Sequence, residues 1–293
     1  MRPMLAALLA AAAIAWAAAP GRAAASCPEL PEVARLASAI IQRQVPPPPR
    51  AGMTMEDALC ARGRLVAVLA QPWGDQSGWK VAPGGSEGAP PLSGALFFGT
   101  LRERAGETFL AGASLVVPAQ FGTVPMLAPA LLLRIRDEGV GEAGEDHVAL
   151  LRHVEAVLPF IELQDRVYGP DAPWSPELLL SINLGTRLGA MGEPIPAEAS
   201  PDFARALGAA TVTLAADDRE VSRGTGAAAV GGHPLAALAW LVRELKEQGR
   251  RLRGGDHVAV ALAPAVPAGT GRIYGMTLAG LAAEPKAVGV RLQ

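Results

Sequence analysis

The chain has 293 residues, half of them hydrophobic, with 18% charged residues and a formal net charge of −2. That much apolar material can build a substantial core in one domain, with or without a small extension. The low charged fraction and the abundance of Ala, Gly and Pro exclude a disordered or coiled-coil chain, and the near-neutral charge leaves no electrostatic footprint for nucleic acid.

An Ala/Leu-rich apolar run from Met4 to Ala19 follows Arg2, and Pro20-Gly21 then breaks any helix. Ala23-Ala24-Ala25 supplies small residues for cleavage before Ser26. This is the layout of a secretory signal peptide over residues 1–25, too short and wrongly flanked for a membrane span. Cleavage removes Arg2 and Arg22 but no acid, taking the net charge from −2 to −4. No later stretch is long and apolar enough to span a bilayer, so the mature body is expected to be soluble, in the periplasm or outside the cell.

Both cysteines, Cys27 and Cys60, survive that cleavage. In an oxidising compartment the pair reads as one disulfide, which would stabilise the fold by about 3–4 kcal/mol on the chain-entropy model. Ala25-Ser26-Cys27 also resembles the end of a lipoprotein signal, with Ala24 where Leu is preferred. A lipidated Cys27 would tether the chain to a membrane, and the two fates exclude each other.

After the leader, Val33, Leu36, Ala37, Ile40 and Ile41 fall at helical spacing and predict a helix over residues 30–44, stopped by Pro46 to Pro49. Thr54 reads as the N-cap of a second helix running to Ala70, with Asp57 as its acidic first-turn partner. Shorter apolar runs punctuated by Gly and Pro then indicate a β-rich body. Strands are expected at 79–82, 95–100, 114–117, 131–135, 158–164 and 211–215, with a helix at 145–157. Pro234 opens a helix with Leu235, Leu238, Val242 and Leu245 on one face and Gly249 as its stop. Strands follow at 257–262, 273–278 and 287–292. The expected division is a signal peptide at 1–25, a helical segment at 26–75 and a mixed β domain at 76–293.

Several stretches match a known family in order and spacing. They are Met53-Thr54-Met55-Glu56-Asp57-Ala58, Gly78-Trp79-Lys80-Val81, Gly94-Ala95-Leu96-Phe97 and Leu158 to Asp165. The longest runs from Gly232-His233-Pro234-Leu235 through Ala239-Trp240-Leu241 to Gly249 and Gly255-Asp256. Together they resemble the 2-keto-4-pentenoate hydratase family of the fumarylacetoacetate hydrolase superfamily. The resemblance implies an α+β fold, a mixed β barrel or roll with peripheral helices, assembled as a homo-oligomer. It also implies metal-dependent hydration, decarboxylation or C–C cleavage of 2-keto or enol acids.

In that family a Glu-x-Glu pair and a later Glu hold a divalent metal. Here Ala128 and Ala130 stand where the pair is expected, and only Glu162 matches a ligand. A hard cation such as Mg or Mn needs oxygen donors, so it would bind only if replacement ligands exist, for instance from Glu87 or Asp218. By the same resemblance Lys80 contacts a substrate carboxylate or moves a proton, and Glu162 is either a general base or a relic carboxylate. Asn183 matches a family asparagine, though without its usual acidic neighbour. Leu92 and Ser93 fall where some members place an acid. His233 precedes the helix start at Pro234, where it either binds an anion or simply caps the helix. His147, His153 and His257 have no metal-ligand spacing and read as surface residues.

Two motif matches lack the context their chemistry needs. Gly84-Gly85-Ser86-Glu87-Gly88 fits G-x-S-x-G but runs into Pro90-Pro91 instead of a helix. Gly139 to Gly144 fits a dinucleotide pattern, but Asp137, Glu138, Glu142, Glu145 and Asp146 around it would repel a pyrophosphate. Two functions remain open. One is an exported hydratase-like protein that binds, and hydrates or cleaves, a small 2-keto or enol acid. The other is a non-catalytic ligand-binding or structural pseudoenzyme.

Overall fold

The computed structural model describes residues 27–85, 89–103 and 115–293. The leader, Ser114, Glu87 and the Ser86 of the G-x-S-x-G match lie outside the described residues. In chain order the first half holds α1 (Leu30–Gln42), α2 (Met55–Trp73), β1 (Gln76–Ala82), β2 (Leu92–Phe97), β3 (Leu101–Glu103), β4 (Leu115–Val117), β5 (Pro125–Ile135), α3 (His147–Arg152) and β6 (Val154–Asp165). Then come α4 (Pro176–Ser181), β7 (Thr186–Met191), β8 (Ile195–Pro196), α5 (Pro201–Ala209), β9 (Thr211–Ala216) and β10 (Arg219–Thr225). The chain closes with α6 (Pro234–Glu247), β11 (His257–Ala261), β12 (Val266–Pro267), β13 (Ile273–Ala279) and β14 (Lys286–Leu292).

The two N-terminal helices form for the reasons their sequences suggest. α1 ends at Arg43, whose φ of 61° is left-handed, and the prolines that follow cannot continue it. At the start of α2 the Asp57 N–H donates to Thr54 Oγ1 and the Thr54 N–H donates back to Asp57 Oδ2, a reciprocal capping box. α2 runs three residues beyond its expected end and stops at Gly74, where φ is 80°. Cys27 and Cys60 form a disulfide with Cα atoms 5.5 Å apart, fixing the segment before α1 to α2.

Among the described residues the strands form two sheets. The larger has the order β2-β1-β11-β5-β6-β7-β3, with β12 added on β5 and β8 on β6. The smaller has the order β10-β9-β13-β14-β4. Pairing is mixed: β1–β11, β3–β7 and β4–β14 are parallel and the other pairs antiparallel. The main core lies between the sheets and α6. Leu131, Leu133, Val258 and Val260 come from the large sheet, Val212, Leu214, Met276 and Val290 from the small one, and Leu238 and Leu241 from the helix.

A second apolar cluster covers the other face of the large sheet, with Leu96, Ala130, Leu132, Leu158, Phe160, Met191 and Ala259. β2 and β7 sit near opposite ends of the strand order yet touch, so the sheet is curled, and this cluster lines the inside of the curl.

The structure corrects some expectations. The helix expected at 145–157 is only six residues long, His147–Arg152, capped by the Asp146 carboxylate. Val154 and Val157 instead pair with Ile135 and Leu133 of β5, a pleated environment that suits β-branched side chains. Segment 98–100 is a 3₁₀ turn after β2. The sequence reading missed α4 and α5, although Ser175-Pro176 and Ser200-Pro201 each place a serine cap before a first-turn proline. It also missed β7 and β10.

Candidate functional site

Inward positions on the curled sheet follow from register. Ala128 on β5 lies directly opposite Glu162 on β6, and Ala130 opposite Phe160. Directly opposed residues share a face, so Ala128, Ala130 and Glu162 all point into the curl. On β11, Ala261 pairs with Ala130, and Ala259 pairs with Lys80 of β1. Lys80 is also opposite Gly94 of β2. Between Lys80 and Glu162 the inner face carries Ala259 and Ala261 on β11 and Ala128 and Ala130 on β5, with Leu132 opposite Ala259. The lysine and the glutamate reach over them and meet.

They meet as a buried ion pair, with Lys80 Nζ 2.5 Å from Glu162 Oε1. Lys80 is 3% exposed and Glu162 1%. The approach is close but badly angled for a hydrogen bond, so the partner of Oε1 is the ammonium charge, not a well-aligned N–H. The second carboxylate oxygen, Oε2, accepts from Gln164 Nε2 at 2.9 Å. Burying two charges is costly unless they are paired, and here each supplies the other's compensation.

A divalent metal does not fit this donor set. Glu162 already faces an ammonium, and Ala128 and Ala130 offer no donor atom. Among the described residues no three His, Cys, Asp or Glu side chains come together as a metal would require. Asp218 does not act as a replacement: it sits in the tight turn between β9 and β10, with φ 67°.

The remaining candidates have structural partners. Asn183 is 1% exposed. Its Oδ1 accepts from the Ala95 N–H at 2.6 Å and its Nδ2 donates to the Ala95 carbonyl at 2.9 Å. The side chain thus completes the outer edge of β2 as a neighbouring strand would. To do so Asn183, Leu184 and Gly185 all adopt left-handed φ values of 56°, 55° and 65°, a conformation unfavourable for leucine. Asp165 accepts from the backbone N–H groups of Thr123 and Val124 and pins the entry to β5.

His233 is the N-cap of α6. Its Nδ1 accepts from the Leu235 N–H at 3.0 Å and its Nε2 donates to the Ala204 carbonyl at 2.9 Å. Both nitrogens are used by the fold, which selects the neutral ring protonated at Nε2. Burial, opposed by the Ala204 bond and reinforced by the stacked His147 ring 4.1 Å away, holds its pKa below the ordinary histidine value. The structure brings His233 to α5 and α3, not to the Lys80–Glu162 pair. The other histidines are part-buried rather than surface residues: His147 stacks on His233, His153 pairs with Asp137 at 2.7 Å, and His257 opens β11.

A second polar cluster was not visible in the sequence. The buried Arg62 of α2 donates to the Ser93 carbonyl and hydroxyl at 2.7 and 2.6 Å and lies 3.7 Å from Glu244. Ser93 Oγ and Gln248 Nε2 both donate to Glu244 Oε1 at 2.9 Å. Burial lowers the Arg62 pKa against the Glu244 attraction. The residues come from α2, β2 and α6, so no short motif could have announced them. Ser93 thus donates to an acid that arrives from α6.

No protein-family model matches the sequence. The chain is 47% identical over 62 residues to the TodF product hydratase of Pseudomonas putida F1. That stretch is 21% of this chain and 23% of the hydratase, so the match spans about a quarter of that relative. The 4-oxalocrotonate decarboxylase of Pseudomonas putida G7, complexed with magnesium and adipate, superposes with a TM-score of 0.71 at 19% identity. The superposition covers 90% of this chain and 97% of the decarboxylase. A fumarylacetoacetate isomerase/hydrolase homologue from Oleispira antarctica gives a TM-score of 0.52 at 13% identity, covering 73% of this chain and 92% of its own. At such identities the superpositions establish the fold, and the locally close hydratase match agrees with it. The chain has the fold of these fumarylacetoacetate-hydrolase-like structures, and over 62 residues it is similar to a hydratase.

Proposed function

We propose that the mature chain is an exported hydratase-like protein that has kept the fold and given up the metal-dependent reaction, serving as a ligand-binding or structural pseudoenzyme. The observation that carries this reading is the buried Lys80–Glu162 ion pair, closed over Ala128 and Ala130. A divalent metal in such a site would polarise a 2-keto acid and stabilise its enolate. Here the charge that balances Glu162 belongs to Lys80, a monovalent cation fixed to the sheet. Leu132, Leu158, Phe160 and Met191 pack the same face, and that surrounding suits an ion pair held for structure. Export rests on the leader and the disulfide, and assembly as a homo-oligomer on the resemblance.

One observation favours a catalytic alternative: a carboxylate and an amine in contact can exchange a proton with a bound acid. In that reading Glu162 is the base and Lys80 holds the substrate carboxylate, with no metal. The absorbance decay of 2-hydroxypenta-2,4-dienoate with purified mature protein separates the cases, first with chelator and then with Mg or Mn. The pseudoenzyme shows no decay in either condition. Decay in chelator that Glu162→Gln abolishes would establish the metal-free catalyst, and metal-stimulated decay would refute both.

A further inference from the structure

A cleft of about 580 Å³ opens at the end of α6, lined by Gln76, Trp79, Arg250, Arg251, Arg253 and Asp256 among others. It lies in the size range of small-ligand sites, but its walls are polar and largely cationic. We propose that it binds a small multivalent oxyanion, a polycarboxylate or a phosphate compound, through Arg250 and Arg253.

The cations sit on a rigid turn. The Gly249 N–H donates to the Lys246 carbonyl at 3.0 Å and the Arg250 N–H to the Leu245 carbonyl at 2.8 Å, the two bonds of a Schellman motif. Gly249 supplies the left-handed φ of 67° that this motif needs. Leu252, 3% exposed, anchors the turn in the core between Arg251 and Arg253. Beyond it, the Gly255 N–H donates to the Ile135 carbonyl and the Asp256 carbonyl accepts from the Ile135 N–H, both at 2.8 Å. Three arginines within four residues are therefore held out from the end of β5 on a backbone with little freedom to lose on binding.

Arg250 is placed further by its side chain. Its guanidinium lies 4.4 Å from the Trp79 ring centre and donates from Nη2 to Gln76 Oε1 at 2.6 Å. Gln76 is itself fixed by donating to the Gly78 carbonyl at 2.9 Å. Among the described residues that bond uses one of the five Arg250 donors, and the Arg253 guanidinium donates no hydrogen bond. Of the acids nearby, Asp256 accepts the Arg253 N–H at Oδ2 and attracts both Arg250 and Arg253, and Glu138 pairs with Arg251 at 3.2 Å, which leaves the three arginines in excess of the two carboxylates. Two planar forks with unspent donors, one pre-oriented on an indole, suit an oxyanion with more than one negative oxygen.

The test is isothermal titration of the mature full chain at low salt, with citrate in one arm and inorganic pyrophosphate in the other. Saturable binding of either, weakened at least tenfold by Arg250→Gln and by Arg253→Gln, supports the site, and the arm that binds names the class. Arg219→Gln, an exposed arginine on β10 with the same charge change, should leave the affinity unchanged. Arg250→Lys should weaken binding by a similar factor to the glutamine variant, because it keeps the charge and loses the fork. No binding in either arm, or equal weakening by Arg219→Gln, would overturn the proposal.

Discussion

At the scale of single residues, the proposed function rests on the balance of charge inside the curled sheet. Lys80 and Glu162 each need the other, because an unpaired charge at such burial costs far more than a lost surface contact. Lys80→Met is expected to destabilise the protein by about 3–5 kcal/mol, the usual cost of stranding a buried charge. Lys80→Met combined with Glu162→Gln should recover most of that loss. Urea unfolding of both variants checks this, and a double variant no more stable than Lys80→Met would show that the pairing is not what holds the site. His233 carries a pH signature of opposite origin. Its folded pKa is depressed, chiefly by burial, so it contributes stability that is full above the ordinary histidine value and lost as pH falls through the lower folded value. His233→Asn keeps a capping oxygen but cannot titrate. Below the ordinary histidine range its stability should fall less steeply with decreasing pH than that of the wild type, as thermal unfolding across that range would show.

At the scale of elements, two features tie the helical segment to the sheet. The disulfide closes a loop between cysteines 33 positions apart and joins the start of α1 to α2. Its removal by Cys60→Ser is expected to cost about 3–4 kcal/mol and to raise hydrogen exchange first in α1. With its sulfur in that bond Cys27 has none left for a lipid, so mass spectrometry of the purified protein should find no acyl chain. The Asn183 side chain guards the edge of β2. Asn183→Ala would leave the buried Ala95 N–H and carbonyl without it, costing about 1–3 kcal/mol for each group stranded. These contacts also show what a sequence can reveal. The cap at Thr54, the helix start at Pro234, the stop at Gly249 and the strands bearing Lys80 and Glu162 were legible because each is written in a few adjacent residues. The short α3 was misread because its hydrophobic spacing fits a helix until the pairing of β6 with β5 is known. Asn183 and His233 were visible as polar residues in notable places, but that their side chains serve Ala95, Ala204 and Leu235 depends on tertiary neighbours. Arg62, Ser93 and Glu244 converge from three elements and carry no local signal at all.

At the scale of the whole molecule, the proposed function sets a shared fold apart from the chemistry of its structural neighbours. The curled sheet and its flanking helices superpose on a decarboxylase crystallised with magnesium, over nine tenths of this chain. The inside of the curl nevertheless presents one carboxylate, two alanines and a lysine where a metal site would need several oxygens. A fold shared at 19% identity does not carry its neighbour's reaction with it. The small residues of β5 and β11 let Lys80 and Glu162 meet, and in the proposed reading that contact balances the Glu162 charge without an ion. The decisive measurement is a titration of the purified protein with manganese, followed by calorimetry, in wild type and in Glu162→Gln. No stoichiometric uptake in the wild type, and no difference between the two proteins, is the expected result. One tightly bound manganese per chain that disappears in Glu162→Gln would contradict the replacement of metal by lysine.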